Sequence, residues 1–261
     1  SMHALDMRRR VAHRRGPSAP EPGARSADIA AQEHDRVFTG AIPQFYDRHL
    51  VPLIFEPYAR HLADRLASHR PRDVLEVAAG TGVVTRQLAL RLPADVNIVA
   101  TDLNPSMLDE AQRIGTARPV QWQAADVAHL PADDGSVDAV ACQFGAMFFP
   151  DKRAAFAEIR RVLRPGGVLL FNVWDRIETN EFAHTVTRAL AQVFPDDPPR
   201  FLARTPHGYC DAEAIERDLA AGGFEHVDGH FALQVSPFAR AARAAAAKDI
   251  AEHATAKDVP K

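Results

Sequence analysis

The chain has 261 residues, a hydrophobic fraction of 46% and a formal net charge of −3, which suits one large globular domain with a buried core. A globular domain with a net negative charge does not attract the phosphate backbone of a nucleic acid, so nucleic acid is disfavoured and a small-molecule partner is expected. Two cysteines and no apolar stretch of roughly 18 to 20 residues argue against a disulfide framework and a membrane span, and predict a cytoplasmic protein.

The first 35 residues are predicted to be a disordered basic tail. They mix Arg, Pro, Gly and Ala without a hydrophobic period, and six arginines lie within residues 1–25. The folded domain is expected to span residues 36–261. From Pro43 to Leu66 apolar residues recur at helical spacing, which predicts one or two N-terminal helices with breaks near Pro52 and Pro57.

Strands and amphipathic helices alternate along the rest of the chain. Helices are predicted to begin near Val83, at Pro105 behind the N-cap Asn104, and at Asp211. Near-continuous apolar segments predict strands at 73–77, 97–102, 120–124, 136–142 and 168–173, with a sixth inside 224–235. This order predicts an α/β fold with a doubly wound, mostly parallel sheet, in which ligands bind at the carboxyl ends of the strands.

Polar and small residues stand at those strand ends. Gly80 and Gly82, after the first predicted strand, let the backbone approach a ligand in front of a helix N-terminus. Asp102 ends the second, and its two carboxylate oxygens can accept both hydroxyls of a ribose. Asp126 ends the third and, with the N–H of Val127, suits an adenine edge. These residues predict a nucleoside ligand.

Two kinds of nucleoside cofactor fit an acid at Asp102. A nicotinamide dinucleotide would need a third glycine three residues after Gly82, where Thr85 stands and its β-branch would crowd helix–strand packing. An NAD(P)-dependent oxidoreductase is the alternative enzyme class, and Thr85 argues against it. A non-catalytic cofactor-binding protein is a third interpretation that the cofactor residues leave open.

Five segments in order resemble the motifs of class I S-adenosylmethionine (SAM) dependent methyltransferases. They are VLEVAAGTGVVTRQLA, IVATDLNPSML, AADVAHLP, DAVACQFGAMFFPD and RRVLRPGGVLLFNVW. The resemblance runs from about Tyr46 to Leu233 and is closest to the small-molecule branch that contains the quinone-biosynthesis C-methyltransferases. It implies a Rossmann-like methyltransferase fold, SAM as cofactor, and methyl transfer to a small, hydrophobic or aromatic metabolite.

The resemblance also implies which residues hold the cofactor. Glu76 would order the glycine turn or receive the ammonium group of SAM through water. Tyr46 would close over the cofactor as a lid, or would pack onto the sheet edge. The implied residues are Tyr46 over the cofactor, Glu76, Ala78, Gly80, Gly82 and Thr85 near the methionine part, Gln143 near the methyl group, Asp102 at the ribose, and Leu103, Met107, Asp126 and Val127 around the adenine.

A general base is needed only if the acceptor must lose a proton, because positioning dominates methyl transfer from a sulfonium. The candidates are His184, His207 and Tyr209, between the fifth predicted strand and the last helix. Each could instead serve ordinary packing. Histidines and cysteines lack metal-ligand spacing, so no metal site is expected. The candidate apolar lining of the acceptor pocket, which could also simply pack the sheet, is Phe144, Met147, Phe148 and Phe149.

The C-terminal residues depart from the family pattern. A seventh strand normally returns antiparallel between strands five and six, yet the chain after Val235 is rich in Ala, Lys and Arg, which favours helix. The hypothesis is that residues 238–255 are helical and that the closing seventh strand is absent. The alternative is a hairpin at Asp228 and Gly229 that supplies it from residues 230–235.

Overall fold

A single sheet organises the computed structural model, which describes residues 2–10, 42–224 and 226–234. Its strands are β1 Met2–Arg10, β2 Asp73–Val77, β3 Asn97–Asp102, β4 Gln121–Ala124, β5 Val137–Gln143, β6 Leu163–Trp174 and β7 His226–Gln234. Their order is β4-β3-β2-β5-β6-β1-β7, and β2 to β6 pair in parallel. The doubly wound, mostly parallel sheet that the sequence predicts is confirmed.

Helices cover the sheet. They are α1 Ile42–Phe45, α2 Glu56–Ser68, α3 Val83–Arg91, α4 Pro105–Ile114, α5 Lys152–Val162, α6 Glu181–Val193, α7 Phe201–Arg204 and α8 Ala212–Ala221. A π-helix spans Tyr46–Phe55 and runs into α2. It contains Pro52, so the predicted break near Pro52 is a change of helix type and not an end of the helical segment. Pro57 lies in the first turn of α2, where the missing donor costs nothing.

Alternate residues of the buried strands pack into two apolar layers, one on each face of the sheet. In β6, Leu169 and Phe171 belong to the layer under α5 and α8, with Phe156 and Ile215. Leu170 belongs to the layer on the other face, which α2 and α3 complete. A strand that is apolar on both faces lies inside the sheet, and the parallel pairs β2–β5 and β5–β6 bring the carboxyl ends of these strands side by side.

Most predicted strand limits agree with the structure within a few residues, and those of β2 and β3 agree to the residue. β6 is longer than predicted and begins at Leu163 instead of Val168. The Pro-Gly-Gly segment, predicted to stop the helix, instead lies inside β6 as extended chain, with Gly166 at φ +80° and a shifted register opposite Val137 and Ala139. An irregularity of this kind is a β-bulge, which the sequence signals only as a stop.

The prediction of a disordered tail is wrong for Met2–Arg10. This segment is β1, whose backbone pairs antiparallel with both β6 and β7; Asp6 lies opposite Asn172 and His230. The remaining predicted tail, residues 11–35, lies outside the described residues. The physical reason is that two strand edges offer a full row of backbone donors and acceptors, which a segment of almost any composition can satisfy. Deleting residues 1–35 would therefore remove an inner strand.

β1 occupies the place between β6 and β7 where the closing strand of the family normally lies, and residues 235–261 lie outside the described residues. β7 passes Asp228 and Gly229 without a hairpin. The helix predicted for residues 238–255 lies outside the described residues. Within the described ranges, the helices are too short or too polar to cross a membrane.

Candidate active site

A cavity of about 330 Å³ lies at the carboxyl ends of β2, β3, β4, β5 and β6. Parallel strands bring these ends to one edge, so residues far apart in sequence meet there. Ten of the twelve residues proposed for the cofactor line the cavity: Tyr46, Glu76, Ala78, Gly80, Asp102, Leu103, Met107, Asp126, Val127 and Gln143.

The other two, Gly82 and Thr85, do not line the cavity but stabilise the conformation of the glycine turn. Gly82 has φ +81°, and a Cβ atom there would lie 2.8 Å from the Trp122 ring. The Thr85 hydroxyl donates a 2.6 Å hydrogen bond to Glu76 Oε2. The turn thus depends on both residues, although neither faces the cavity.

Asp102 ties the turn after β2 to the end of β3. Its Oδ2 atom accepts a hydrogen bond from the Gly80 N–H at 2.8 Å, and Oδ1 accepts one from the Asn104 N–H at 2.8 Å. Each carboxylate oxygen keeps further acceptor capacity for a ligand hydroxyl. Burial raises the pKa of Asp102, and the hydrogen bonds from Asn104 and Gly80 oppose that rise.

Glu76 is a carboxyl group with almost no solvent exposure. Burial raises its pKa to about 8, against the hydrogen bond from Thr85 and the charge of Arg86, which lower it. The group is therefore mainly protonated at neutral pH. A cation placed beside it would favour the ionised form.

Tyr46 and Asp47 place the π-helix over the glycine turn. Asp47 Oδ1 accepts a hydrogen bond from the Thr81 hydroxyl at 2.9 Å and pairs with Arg86 at 3.0 Å. The Tyr46 ring lines the cavity and stacks on Phe55 with centroids 4.9 Å apart. The lid interpretation of Tyr46 stays a prediction, since the ring both lines the cavity and packs against the apolar layer of α2 and α3. The sequence offered no signal for Asp47.

Aromatic side chains form the other wall of the cavity. The rings of Phe144 and Trp174 stack at a centroid distance of 3.8 Å with an interplanar angle of 4°, and the edges of Phe55 and Tyr58 pack against them. Phe148 and Phe149 line the cavity as expected, whereas Met147 does not. Lining residues that sequence reasoning missed are Phe55, Trp174, Phe182 and Phe201.

Only one of the three base candidates lines the cavity. His207 does so, and its Nδ1 atom lies 2.7 Å from the Asp175 carbonyl oxygen. Tyr209 donates its hydroxyl to Asp218 Oδ2 at 2.9 Å, and the lining includes neither Tyr209 nor His184.

The side-chain oxygen of Gln143 is a buried hydrogen-bond acceptor without a donor among the described residues. Its Nε2 atom donates to the Phe55 carbonyl at 3.2 Å, while its buried Oε1 atom has no hydrogen-bond partner among the residues that the structure describes. A buried acceptor left without a donor costs free energy, so a bound molecule with a hydroxyl or ammonium group would be favoured here. No group of three or more His, Cys, Asp or Glu within the described ranges could hold a metal ion.

Ala78 and Phe144 have positive φ angles of 54° and 51° at the edge of the cavity, where non-glycine residues are strained. Gly145 makes this possible for Ala78, because a Cβ atom at position 145 would lie 2.5 Å from the Cβ of Ala78 and 2.8 Å from Cys142 Sγ.

Gly145→Ala is expected to lower the free energy of unfolding by about 1–3 kcal/mol through this overpacking. Adding Ala78→Gly should restore roughly 1 kcal/mol, since it removes both the left-handed penalty and one clashing atom. Urea unfolding of the double-mutant cycle measures the coupling. Gly115→Ala, in open space at φ +82°, is the control and should be additive with Ala78→Gly. Additivity in the Gly145 cycle would contradict the contact.

The chain is similar to known methyltransferases in sequence and in fold. A family model described as a methyltransferase domain matches residues 75–171. A ubiquinone/menaquinone biosynthesis C-methyltransferase of Idiomarina loihiensis is 29% identical over 192 residues, covering 66% of this chain and 73% of the relative. A demethylmenaquinone methyltransferase of Thermus thermophilus is 30% identical over 178 residues, covering 64% of this chain and 80% of the relative.

A solved structure from Methanococcus maripaludis, assigned to the S-adenosyl-L-methionine-dependent methyltransferases, has a TM-score of 0.51 and 18% identity. The match covers 78% of this chain and 86% of that one. At that identity the likeness concerns the fold, which agrees with the strand order described above.

Proposed function

We propose that this chain, which belongs to the class I SAM-dependent methyltransferases, methylates a quinone-type aromatic ring that carries a hydroxyl group. Transfer of a methyl group from SAM to a small molecule is the activity of the family branch to which the relatives belong. The finer proposal concerns the acceptor. The observation that carries it is the stacked pair Phe144 and Trp174 in the cavity wall, on whose faces a flat ring would pack.

The same cavity supports the proposed division of labour. SAM supplies a sulfonium whose methyl group is already activated. Asp102 would hold its ribose, Glu76 and the glycine turn its methionine part, and Leu103 and Met107 would lie against its adenine beside Asp126 and Val127. The chain's own contribution to the chemistry is alignment of acceptor and methyl group, which can lower the barrier by roughly 7–11 kcal/mol.

The unpartnered Gln143 Oε1 adds a polar requirement to the acceptor. Gln143 lines the cavity and directly precedes Phe144 of the aromatic wall in the chain, and its Oε1 atom can only accept a hydrogen bond. A ring hydroxyl would satisfy it. We further propose that nucleic acid is not a substrate and that the protein works in the cytoplasm, where its two free cysteines, Cys142 and Cys210, would stay reduced.

The test measures release of S-adenosylhomocysteine with a panel of acceptors. The panel holds a short-chain 2-prenyl-1,4-naphthohydroquinone kept reduced, simple phenols, a saturated cyclohexanol of similar hydrophobicity, duplex DNA and tRNA. We expect turnover with the hydroxylated aromatic rings and none with the cyclohexanol or the nucleic acids. Turnover with the cyclohexanol equal to that with the rings would contradict the aromatic acceptor, and absence of any turnover would contradict the catalytic role.

A further inference from the structure

We infer that His207 is the general base of the reaction, taking the proton of the acceptor's hydroxyl on an Nε2 atom that a hydrogen bond from Nδ1 to the Asp175 carbonyl keeps unprotonated. The inference rests on the proposed function, because it needs an acceptor that loses a proton. It assigns to one residue a role for which the sequence left three candidates.

The hydrogen bond to Asp175 determines the tautomer of the ring. A carbonyl oxygen only accepts hydrogen bonds, so the Nδ1 atom 2.7 Å away must carry the hydrogen. In a neutral imidazole the other nitrogen then has a free lone pair. The Asn180 amide donates to the same carbonyl at 3.2 Å, which holds the oxygen in place. The Nε2 atom of the neutral ring therefore has a lone pair that can accept a proton.

The backbone around His207 keeps the ring at the cavity wall. Its N–H donates to the Leu202 carbonyl at 3.0 Å, and any side chain at Gly208 would collide with the Arg204 carbonyl. His207 is 6% exposed, and the centroid of its ring lies 6.0 Å from that of Trp174. A ring packed on the Phe144 and Trp174 pair would thus lie next to the imidazole.

The surroundings keep the imidazole neutral. Burial lowers the pKa of His207, while the bond to the Asp175 carbonyl and the charges of Asp175 and Glu178, the acidic groups that face it, oppose this. At pH 7 the ring is ready to receive a proton. Tyr209 is unsuited to the role, because its hydroxyl is already engaged with Asp218 and burial raises its pKa further.

The step balances in protons and electrons. As the methyl carbon bonds to the acceptor, the S–CH₃ bond breaks, its electron pair stays on sulfur, and neutral S-adenosylhomocysteine leaves. The hydroxyl proton passes to Nε2, which gives an imidazolium that later returns the proton to water. Whether the methyl group ends on that oxygen or on a conjugated ring carbon, the acceptor gains one methyl group and loses one net proton.

The test compares His207→Asn with the matched control His184→Asn, whose position is outside the cavity lining. Asparagine keeps an N–H donor near the Asp175 carbonyl but has no atom at the place of Nε2. For a phenolic acceptor we expect kcat to fall about 10²- to 10⁴-fold in His207→Asn, the usual worth of a general base. SAM affinity should stay the same in both variants, and kcat should stay the same in the control.

Two further readouts separate a base from a packing residue. In His207→Asn the rate should rise about tenfold per pH unit, because only the ionised phenol reacts. A nitrophenol acceptor, already ionised at pH 8, should lose less than about fivefold in the variant. A uniform loss for both acceptors would overturn the proposal.

A measurement on the unmodified protein keeps the proposal falsifiable if His207→Asn does not fold. ¹⁵N spectra of histidine-labelled protein at pH 7.5 should show His207 protonated at Nδ1 alone, and an Nε2–H tautomer or an imidazolium would overturn the base. Wild-type turnover with unchanged kcat in His207→Asn would overturn the base and leave the proposed function standing. No wild-type turnover of any hydroxylated ring would instead refute the proposed function, and the base with it.

Discussion

Asp102→Ala should weaken SAM binding by about 1.5–3 kcal/mol, the usual worth of hydrogen bonds to a charged group, or roughly 10- to 150-fold in Kd. The carboxylate lines the cavity, is 8% exposed, and organises the glycine turn through its bonds to Gly80 and Asn104. Its remaining lone pairs are the only charged acceptors that we assign to the ribose. Isothermal titration calorimetry gives the loss directly.

Two comparisons distinguish lost ligand bonds from a disturbed turn. Asp109→Ala, on the exposed side of α4, should bind SAM as the wild type does. An S-adenosylhomocysteine analogue without ribose hydroxyls should bind the wild type more weakly than the parent compound, yet should lose little further affinity in Asp102→Ala. If Asp102→Ala loses the same factor of affinity for S-adenosylhomocysteine and for the analogue, Asp102 acts through the turn alone and the ribose assignment is wrong.

The parallel strands of the fold were predictable because short sequence segments determine where each of them begins and ends. β2 is a short apolar segment followed by the turn at Gly80, and β3 is one that ends at Asp102; the chemistry of these residues marks a strand end, and both strands were placed to the residue. The cavity followed from the same reasoning, since the carboxyl ends of parallel strands share an edge. Trp174 was within reach of this argument, as the last residue of β6.

The rest depends on contacts between distant segments. β1 is a strand only because β6 and β7 offer it two edges, and its own composition indicates a solvated tail. The tautomer of His207 is determined by a carbonyl 32 residues earlier in the chain. Phe182 and Phe201 reach the cavity from helices whose packing no local pattern reveals. Sequence therefore predicted the cofactor side of the site far better than the acceptor side.

Glu76→Gln should make the protein more stable and bind SAM less tightly. The pKa of Glu76 is about 8 in the fold, because of burial, against 4.5 in an unfolded chain. Below pH 4.5 both states hold the proton, and between the two values only the folded state does. Unfolding then releases a proton, so the free energy of unfolding falls as pH rises, by up to ~1.4 kcal/mol per pH unit.

A glutamine is neutral at every pH and removes this slope. Relative to the wild type, Glu76→Gln should gain on the order of 2–4 kcal/mol at pH 8.5 and little at pH 5. Urea unfolding across pH 5–8.5 measures this, with Glu216→Gln, on the exposed face of α8, as the control that keeps the wild-type slope.

The same proton links stability to cofactor binding. If Glu76 receives the ammonium group of SAM, binding ionises the carboxyl group, so the wild type should release a proton on binding SAM and its affinity should rise from pH 6 to about 8. Calorimetry in buffers of different ionisation enthalpy counts that proton. Glu76→Gln should bind SAM more weakly and release none. Equal proton release by variant and wild type would mean that another group titrates and that Glu76 only braces Thr85 and the glycine turn.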